Sequence, residues 1–423
     1  MATVNDFRLK LGGKDYVPII IGGMGVDISA VDLALEACRL GGIGHVSDAM
    51  IPFVSDKYFK THYTKTKTNE YKDSRNTPDK SLVKFNLGRL YEAQKAVVTD
   101  TMRRKQGPGG IFINIMEKLT MGAASDTLGV RLNAALDAGI DGITLSAGLH
   151  NQSLRLMSEN PRFRECNIGI IVSSVRALKI FLRGGKRVDR LPDYVIVEGP
   201  LAGGHLGFGD DWADYDLKDV FQEVLDFVRE ENLPIAVVPA GGVFTGTDAT
   251  EYLEAGAAAV QVATRFTVTK ECGLPDTVKQ KYFEADEENV LVNSLSATGY
   301  LMRMLDNSPC IGSNVKPQCE PFGYILSSEG TCRYIDAYEA TGLNEKGKKL
   351  PVTDKMCTCY HFSKHNVYTC GHYAYRLKDT TVQNEDGSYQ LLTAEHVFND
   401  YLHSTGHQIA LPEPEGMPES VAG

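Results

Sequence analysis

One histidine stands inside a run of glycines, Glu198-Gly199-Pro200-Leu201-Ala202-Gly203-Gly204-His205-Leu206-Gly207-Phe208-Gly209. Imidazole is the side chain best suited to moving protons near neutral pH. Glycine, without a Cβ, lets a backbone turn sharply and approach a ligand closely. Such a loop gives His205 little to pack against, which favours a chemical role over a structural one. Two further turns, Gly241-Gly242 and Ala263-Thr264, each follow an apolar run. Free N–H groups at a helix start attract an anion; Thr264 would add a hydroxyl and Arg265 a charge. Either turn alone is explained by tight geometry, but the pair points to a phosphate. Gly22-Gly23-Met24-Gly25 lacks the G-x-G-x-x-G spacing. It reads equally as an ordinary strand–helix turn or as a flat wall against an aromatic cofactor, with Met24 packed on it. Asn114, inside an apolar run, and Glu198 need hydrogen-bond partners if buried. A ligand or neighbouring backbone would serve either one.

Six of the nine cysteines fall between Cys310 and Cys370. Cys319, Cys332, Cys357, Cys359 and Cys370 are candidate ligands for zinc or an iron–sulfur cluster. No C-x2-C pair is present, so thiols simply packed in a lid are the stronger reading.

The elements that must position these groups come from an alternation of short apolar runs with helix-like segments. Runs end near Ile21, Val46, Met116, Leu145, Val172, Val197, Pro239 and Val262. Continuous apolar strands without polar alternation indicate burial on both faces, as in parallel sheets. Eight such units over roughly 270 residues fit an α/β (β/α)8 TIM barrel. Function then belongs at the C-terminal strand ends, where the glycine clusters fall. A polar stretch, about 48–84, has no clear core face and reads as an insertion or lid after strand two. The expected organisation is a barrel over 1–290, a cysteine-rich lid or appendage over 291–410 and a flexible tail over 411–423.

Net charge of -10 and the absence of a strong basic cluster argue against a nucleic-acid partner. No apolar run approaches membrane-spanning length, and the first residues carry no signal-peptide pattern. A cytoplasmic enzyme with a small-molecule substrate is the expectation, and a homo-oligomer is compatible with it.

Pro18-Ile19-Ile20-Ile21-Gly22-Gly23-Met24, Ala202-Gly203-Gly204-His205-Leu206-Gly207, Ala240-Gly241-Gly242-Val243 and Val260-Gln261-Val262-Ala263-Thr264-Arg265-Phe266 resemble the nitronate monooxygenase (2-nitropropane dioxygenase-like) flavoproteins. That group includes related NAD(P)H-dependent quinone reductases and enoyl reductases. The resemblance implies a TIM barrel holding FMN. Gly23 and Met24 would border the flavin, Asn114 would contact it, and Gly203 would pass close to it. Gly241, Gly242, Gln261, Val262, Ala263 and Thr264 would hold its phosphate. His205 matches the acid/base or substrate-orienting histidine, and Glu198 replaces a common Gln. Ala263 replaces the usual Gly, which a negative φ there would allow. The implied activity is oxidation of a nitronate or similar small anion with oxygen as acceptor. The alternatives are an NAD(P)H-dependent reductase of a quinone or activated alkene, and a non-catalytic barrel subunit.

Overall fold

A computed structural model describes residues 2–117, 123–324, 326–327 and 329–412. Most of the expected tail, residues 413–423, lies outside the described residues. The eight apolar runs are strands: β1 Ile19–Ile21, β2 Ile43–Ser47, β3 Gly110–Met116, β4 Gly142–Ser146, β5 Asn167–Val172, β6 Tyr194–Glu198, β7 Ala236–Ala240 and β8 Val260–Val262. Neighbours pair in parallel, and β8 returns to β1, so the sheet closes into a TIM barrel. Closure removes the unpaired strand edges that an open sheet would expose. Every residue of β1, β2 and β4 is buried, the polar His45, Ser47, Thr144 and Ser146 among them.

The barrel interior is filled by Ile20, Ile43, Phe112, Tyr194, Ile196 and Val238. A hairpin, Leu9–Leu11 paired with Lys14–Tyr16, adds Leu9, Leu11 and Tyr16 to this cluster. It plugs the N-terminal end, where Tyr16 lies against Gly110, the first residue of β3. Function is thereby left to the opposite end. Deep in the barrel, His45 Nδ1 meets the Ile21 carbonyl at 2.8 Å and Nε2 meets Thr144 Oγ1 at 2.5 Å. Thr144 Oγ1 in turn meets the Tyr194 hydroxyl at 2.5 Å. The buried imidazole is thus satisfied at both nitrogens and serves the scaffold.

The stretch 48–84 differs from the sequence expectation. It forms helices Ile51–Phe59 and Tyr63–Glu70, and Ile51, Pro52 and Val54 are buried. Its apolar residues gather in one short turn, too few to give a visible helical period. Asp48 belongs to the barrel support: its backbone N–H donates to the Asn114 carbonyl at 3.1 Å, and its carboxylate pairs with buried Arg131.

The region beyond the barrel is woven into it. Val290–Asn293 and Met302–Leu305 form an antiparallel pair, and Met302–Leu305 also pairs with Gly204–His205. Helix Ala394–His403 covers barrel helices, with Phe398 pressed on Gly42 and Asp400 2.6 Å from Arg265.

Burial pushes His45 down to about 4. Its unfolded imidazole titrates near 6.5, so between these values the unfolded chain binds a proton that the folded chain does not. Stability therefore falls as acid is added below about 6.5, and the loss levels off near 4. His45→Gln should be less stable at neutral pH. Its stability should also depend less on pH, by at most about 1.4 kcal/mol per pH unit, in urea unfolding between about pH 7 and about pH 4.5. An unchanged slope would exclude His45 as the source.

Candidate active site

Four residues form a row across the C-terminal end of the barrel. A Cβ on Gly23 would lie 2.3 Å from Asn114 Cβ, and one on Gly22 would lie 3.1 Å from Gln261 Cγ. Only glycine permits this strip of bare backbone between two amides. Asn114 Oδ1 and Gln261 Oε1 are both buried and have no hydrogen-bond partner among the described residues. Burying an unpaired acceptor costs about 1–3 kcal/mol. Two such acceptors beside a flat strip suit a planar ligand that offers donors. The strip is fixed from both sides: Gly22 N–H donates to the Val262 carbonyl at 2.9 Å, and Ser29 Oγ donates to the Gly22 carbonyl at 3.0 Å. Met24 is half-buried beside it, its N–H donating to Ser29 Oγ at 2.8 Å and its sulfur accepting from Thr267 at 3.3 Å.

The neighbouring turns carry Gly241 and Gly242 at φ 89° and 109°, a left-handed backbone open to glycine. Ala263 has φ -144°, so a side chain costs nothing there. Thr264 opens a 3-10 turn, Thr264–Val268, whose first N–H groups have no partner within the turn. Arg265 departs from the sequence expectation. It points away from these turns to Asp400 and packs on the rings of Phe244 and Tyr401 at 5.8 and 5.1 Å. In a 3-10 turn adjacent side chains point about 120° apart, and Arg265, turned to Asp400, does not join Thr264 at one anion.

His205 is held by the region beyond the barrel. Gly204–His205 is a strand edge against Met302–Arg303. Buried Arg303 donates from Nη1 to the carbonyls of Pro200 at 2.7 Å and Ala202 at 2.5 Å, and lies 4.8 Å over Trp212. His205 Nε2 meets Ser296 Oγ at 2.6 Å, and Ser296 Oγ meets Thr298 Oγ1 at 2.8 Å. The ring stacks on Phe362 at 6.4 Å. Burial pushes His205 down to about 4, so it is neutral at physiological pH and can accept a proton. Glu198, at the end of β6, is pushed up to about 7 by burial, against the Gly207 N–H and the Arg303 charge. Ser296, Arg303 and Phe362 escaped the sequence reading. Only Arg303 left a signal, a charge inside the apolar Leu301–Leu305 run.

The cysteine candidates divide. Cys319, Cys332, Cys357 and Cys359 line one cavity. Cys370 does not join them. It lies at the glycine loop, where its backbone presses on Gly203. Among the described residues no three His, Cys, Asp or Glu side chains converge on a single metal ion, and no helix is long and apolar enough to cross a membrane. A Cβ on Gly203 would lie 2.5 Å from the Cys370 carbonyl carbon, and one on Gly371 would lie 2.5 Å from Thr264 Oγ1. His372 N–H donates to the Leu201 carbonyl at 3.0 Å, which completes the clamp. The close approach allowed by Gly203 is therefore to protein. Gly203→Ala should destabilise the fold by about 1–3 kcal/mol in urea unfolding, because backbone must move. Gly129→Ala, in helix Ala124–Asp137 with its nearest neighbour at 3.5 Å, should be neutral or stabilising by up to about 1 kcal/mol. Equal effects would refute the tight contact.

Known proteins resemble the chain in sequence pattern and in fold. The pattern of the family described as nitronate monooxygenase matches residues 114–360. Two curated relatives, from Mycobacterium tuberculosis and Rhodococcus jostii, are each named a 5-hydroxy-7a-methyl-1-oxo-octahydro-1H-indene-4-carboxyl-CoA dehydrogenase. They are 34% and 36% identical over 102 and 101 residues, 24% of this chain in each case. The match spans only about a quarter of their length, 26% of each. Among solved structures, nitroalkane oxidase from Streptomyces ansochromogenes has a TM-score of 0.55 at 16% identity, covering 91% of this chain and 94% of that one. FabK from Thermotoga maritima has a TM-score of 0.51 at 17% identity, covering 95% of each chain. These two likenesses show the fold alone. The family pattern covers more than half of the sequence and includes Asn114, the glycine loop, Gly241–Gly242 and Thr264, and on that ground the chain belongs to the nitronate monooxygenase family.

Proposed function

We propose that the chain is an FMN-dependent oxidoreductase of the nitronate monooxygenase type, acting on a nitronate or similar small anion with oxygen as acceptor. The observation that carries this reading is the pair of orphaned acceptors, Asn114 Oδ1 and Gln261 Oε1, flanking the bare Gly22–Gly23 strip. A flavin edge offers donors to such acceptors, and its flat ring suits the strip. Gly23 and Met24 would border it, while Gly241, Gly242 and the Gln261–Thr264 turn would take the phosphate. The flavin, when bound, supplies the redox chemistry.

The chain's own residues bind, orient and move protons. His205, neutral through burial, accepts a proton from an acidic C–H or orients an anion. This requires Nε2–H to donate to Ser296, which leaves Nδ1 facing the substrate. Arg303 holds the loop by two carbonyls and so keeps the imidazole in place. Phe362 covers the ring face and excludes water from it. Glu198, pushed up to about 7, is a second group able to exchange protons near neutral pH.

A second reading rests on the same strip and acceptors, which suit a flavin whichever substrate reduces it. In it the flavin remains, NAD(P)H is the donor, and a quinone or activated alkene is the acceptor. Anaerobic mixing with NADPH, NADH and a nitronate separates the two by which one bleaches the flavin. Bleaching by a nicotinamide with none by nitronate would overturn the first. A reconstituted protein with no flavin spectrum would overturn both and leave a non-catalytic barrel. His205→Ala should retain FMN and slow turnover by about 10²–10⁴-fold; wild-type turnover would remove the assignment.

A further inference from the structure

His205 is held by a hydroxyl where a base is often held by a carboxylate. In the serine-protease arrangement a carboxylate orients the imidazole and balances the charge it gains. Here Nε2 meets Ser296 Oγ at 2.6 Å, and among the described residues no carboxylate pairs with the ring. Burial pushes the ring down to about 4, so holding an extra proton there is costly at neutral pH. Such a base works best if one proton leaves as another arrives.

The hydroxyls beyond it supply an exit. Ser296 Oγ meets Thr298 Oγ1 at 2.8 Å. Thr298 N–H donates to Ser296 Oγ at 3.3 Å, and Tyr300 N–H donates to Thr298 Oγ1 at 3.3 Å. A hydroxyl has one proton and two acceptor sites. With one acceptor site on each oxygen taken by backbone, two proton arrangements satisfy every contact. In the first, Nε2–H donates to Ser296, Ser296 donates to Thr298, and Thr298 turns its proton outward. In the second, Thr298 donates to Ser296, Ser296 donates to Nε2, and the ring carries its proton on Nδ1. The three groups form a wire with two states.

The wire runs from the interior outward. Ser296 is fully buried, Thr298 is half-buried, and Gly299 beyond it is exposed. Ala297 N–H donates to Thr358 Oγ1 at 3.2 Å, and Met356 N–H donates to the Leu295 carbonyl at 3.0 Å. Thr358 opens the helix that carries Phe362, the ring stacked on His205. Wire and imidazole are therefore held in one frame.

On the reading in which His205 takes a proton from an acidic C–H, we propose that Ser296 and Thr298 pass a proton from Nε2 to solvent. As the C–H bond breaks, its electron pair stays with the substrate and its proton joins Nδ1. The Nε2 proton moves to Ser296 Oγ, the Ser296 proton to Thr298 Oγ1, and the Thr298 proton to water. One proton enters the chain and one leaves, so the imidazole ends neutral. Release of the Nδ1 proton to water once product has left, with uptake of one at Thr298, restores the first state. Ser296 and Thr298 are positioning residues that act through His205.

One test needs neither flavin nor turnover. The histidine nitrogens of the full chain are labelled with the heavy isotope and read by magnetic resonance at neutral pH; His205 is the signal missing from His205→Ala. Wild type should show an Nε2–H form. Thr298→Val leaves Ser296 no acceptor but the imidazole among the described residues, so His205 should move to the Nδ1–H form. Thr298→Ser should restore the wild-type pattern, and Thr298→Ala replaces the valine variant if that one does not fold. The second test is anaerobic bleaching of the FMN-loaded chain by nitroethane, which has a C–H proton to lose, and by its nitronate, which has lost it. The ratio of the nitroethane rate to the nitronate rate should fall about tenfold in Thr298→Val, less than the about 10²–10⁴-fold of losing a base outright. Thr298→Ser should recover most of that ratio. Unchanged tautomers in both the valine and alanine variants, equal slowing of both substrates, or bleaching by nitronate alone would each overturn the relay. A chain that neither substrate bleaches would overturn the functional reading instead, and the tautomers then decide the relay by themselves.

Discussion

Arg303 is the constraint on which the catalytic loop depends. A guanidinium cannot shed its charge at physiological pH, so a buried one must be given acceptors. The Pro200 and Ala202 carbonyls turn inward to meet it. That fixes the backbone between Glu198 and Gly204 without any side chain of the loop taking part. The same strand that carries Arg303 pairs with Gly204–His205, so one element sets both the loop's curvature and the height of the imidazole. Ser296 then sets the ring's orientation, and Phe362 closes its face.

Around this point the excursions from the barrel hold one another. The helix after β2 reaches Asp27, in the loop after β1, through Lys57 at 2.5 Å and the Tyr58 hydroxyl at 3.0 Å. The next helix sends Lys67 to the carbonyls of Cys319 and Glu320. The cysteine-bearing helix returns to the β1 loop, with Phe362 on Gly25 and His365 on the Val26 carbonyl at 3.1 Å. The last helix is anchored by the Arg265–Asp400 pair. Removing one partner of such a buried pair costs about 3–5 kcal/mol, because the other is left charged and alone. The roof over the site is thus a ring of mutual anchors built on a rigid barrel.

The barrel was legible in the sequence because burial on both faces leaves an unbroken apolar run, and eight such runs repeat. The helices of 48–84 were not, because what they bury includes Lys67, whose partners lie 252 and 253 positions away. The position of His205 could be read from its glycines; its partners Ser296 and Arg303 could not, since they arrive from a strand pair about a hundred residues later. Arg265 misled because sequence adjacency to Thr264 says nothing about which way a side chain points. The split of Cys370 from the other four cysteines likewise depends on where the chain doubles back.

Gly204 and Arg303 pair across 99 positions of chain. A growing polypeptide emerges at about 5–20 residues per second, so roughly 5–20 s pass between the two. The last two barrel strands, β7 and β8, are made within that interval, so all eight exist once Val262 has emerged. The scaffold can therefore close while the histidine loop still lacks its clasp. Competence is reached in a fixed temporal order, barrel first and proton-transfer geometry last, and a nascent chain carries no finished site until its downstream strand has been made.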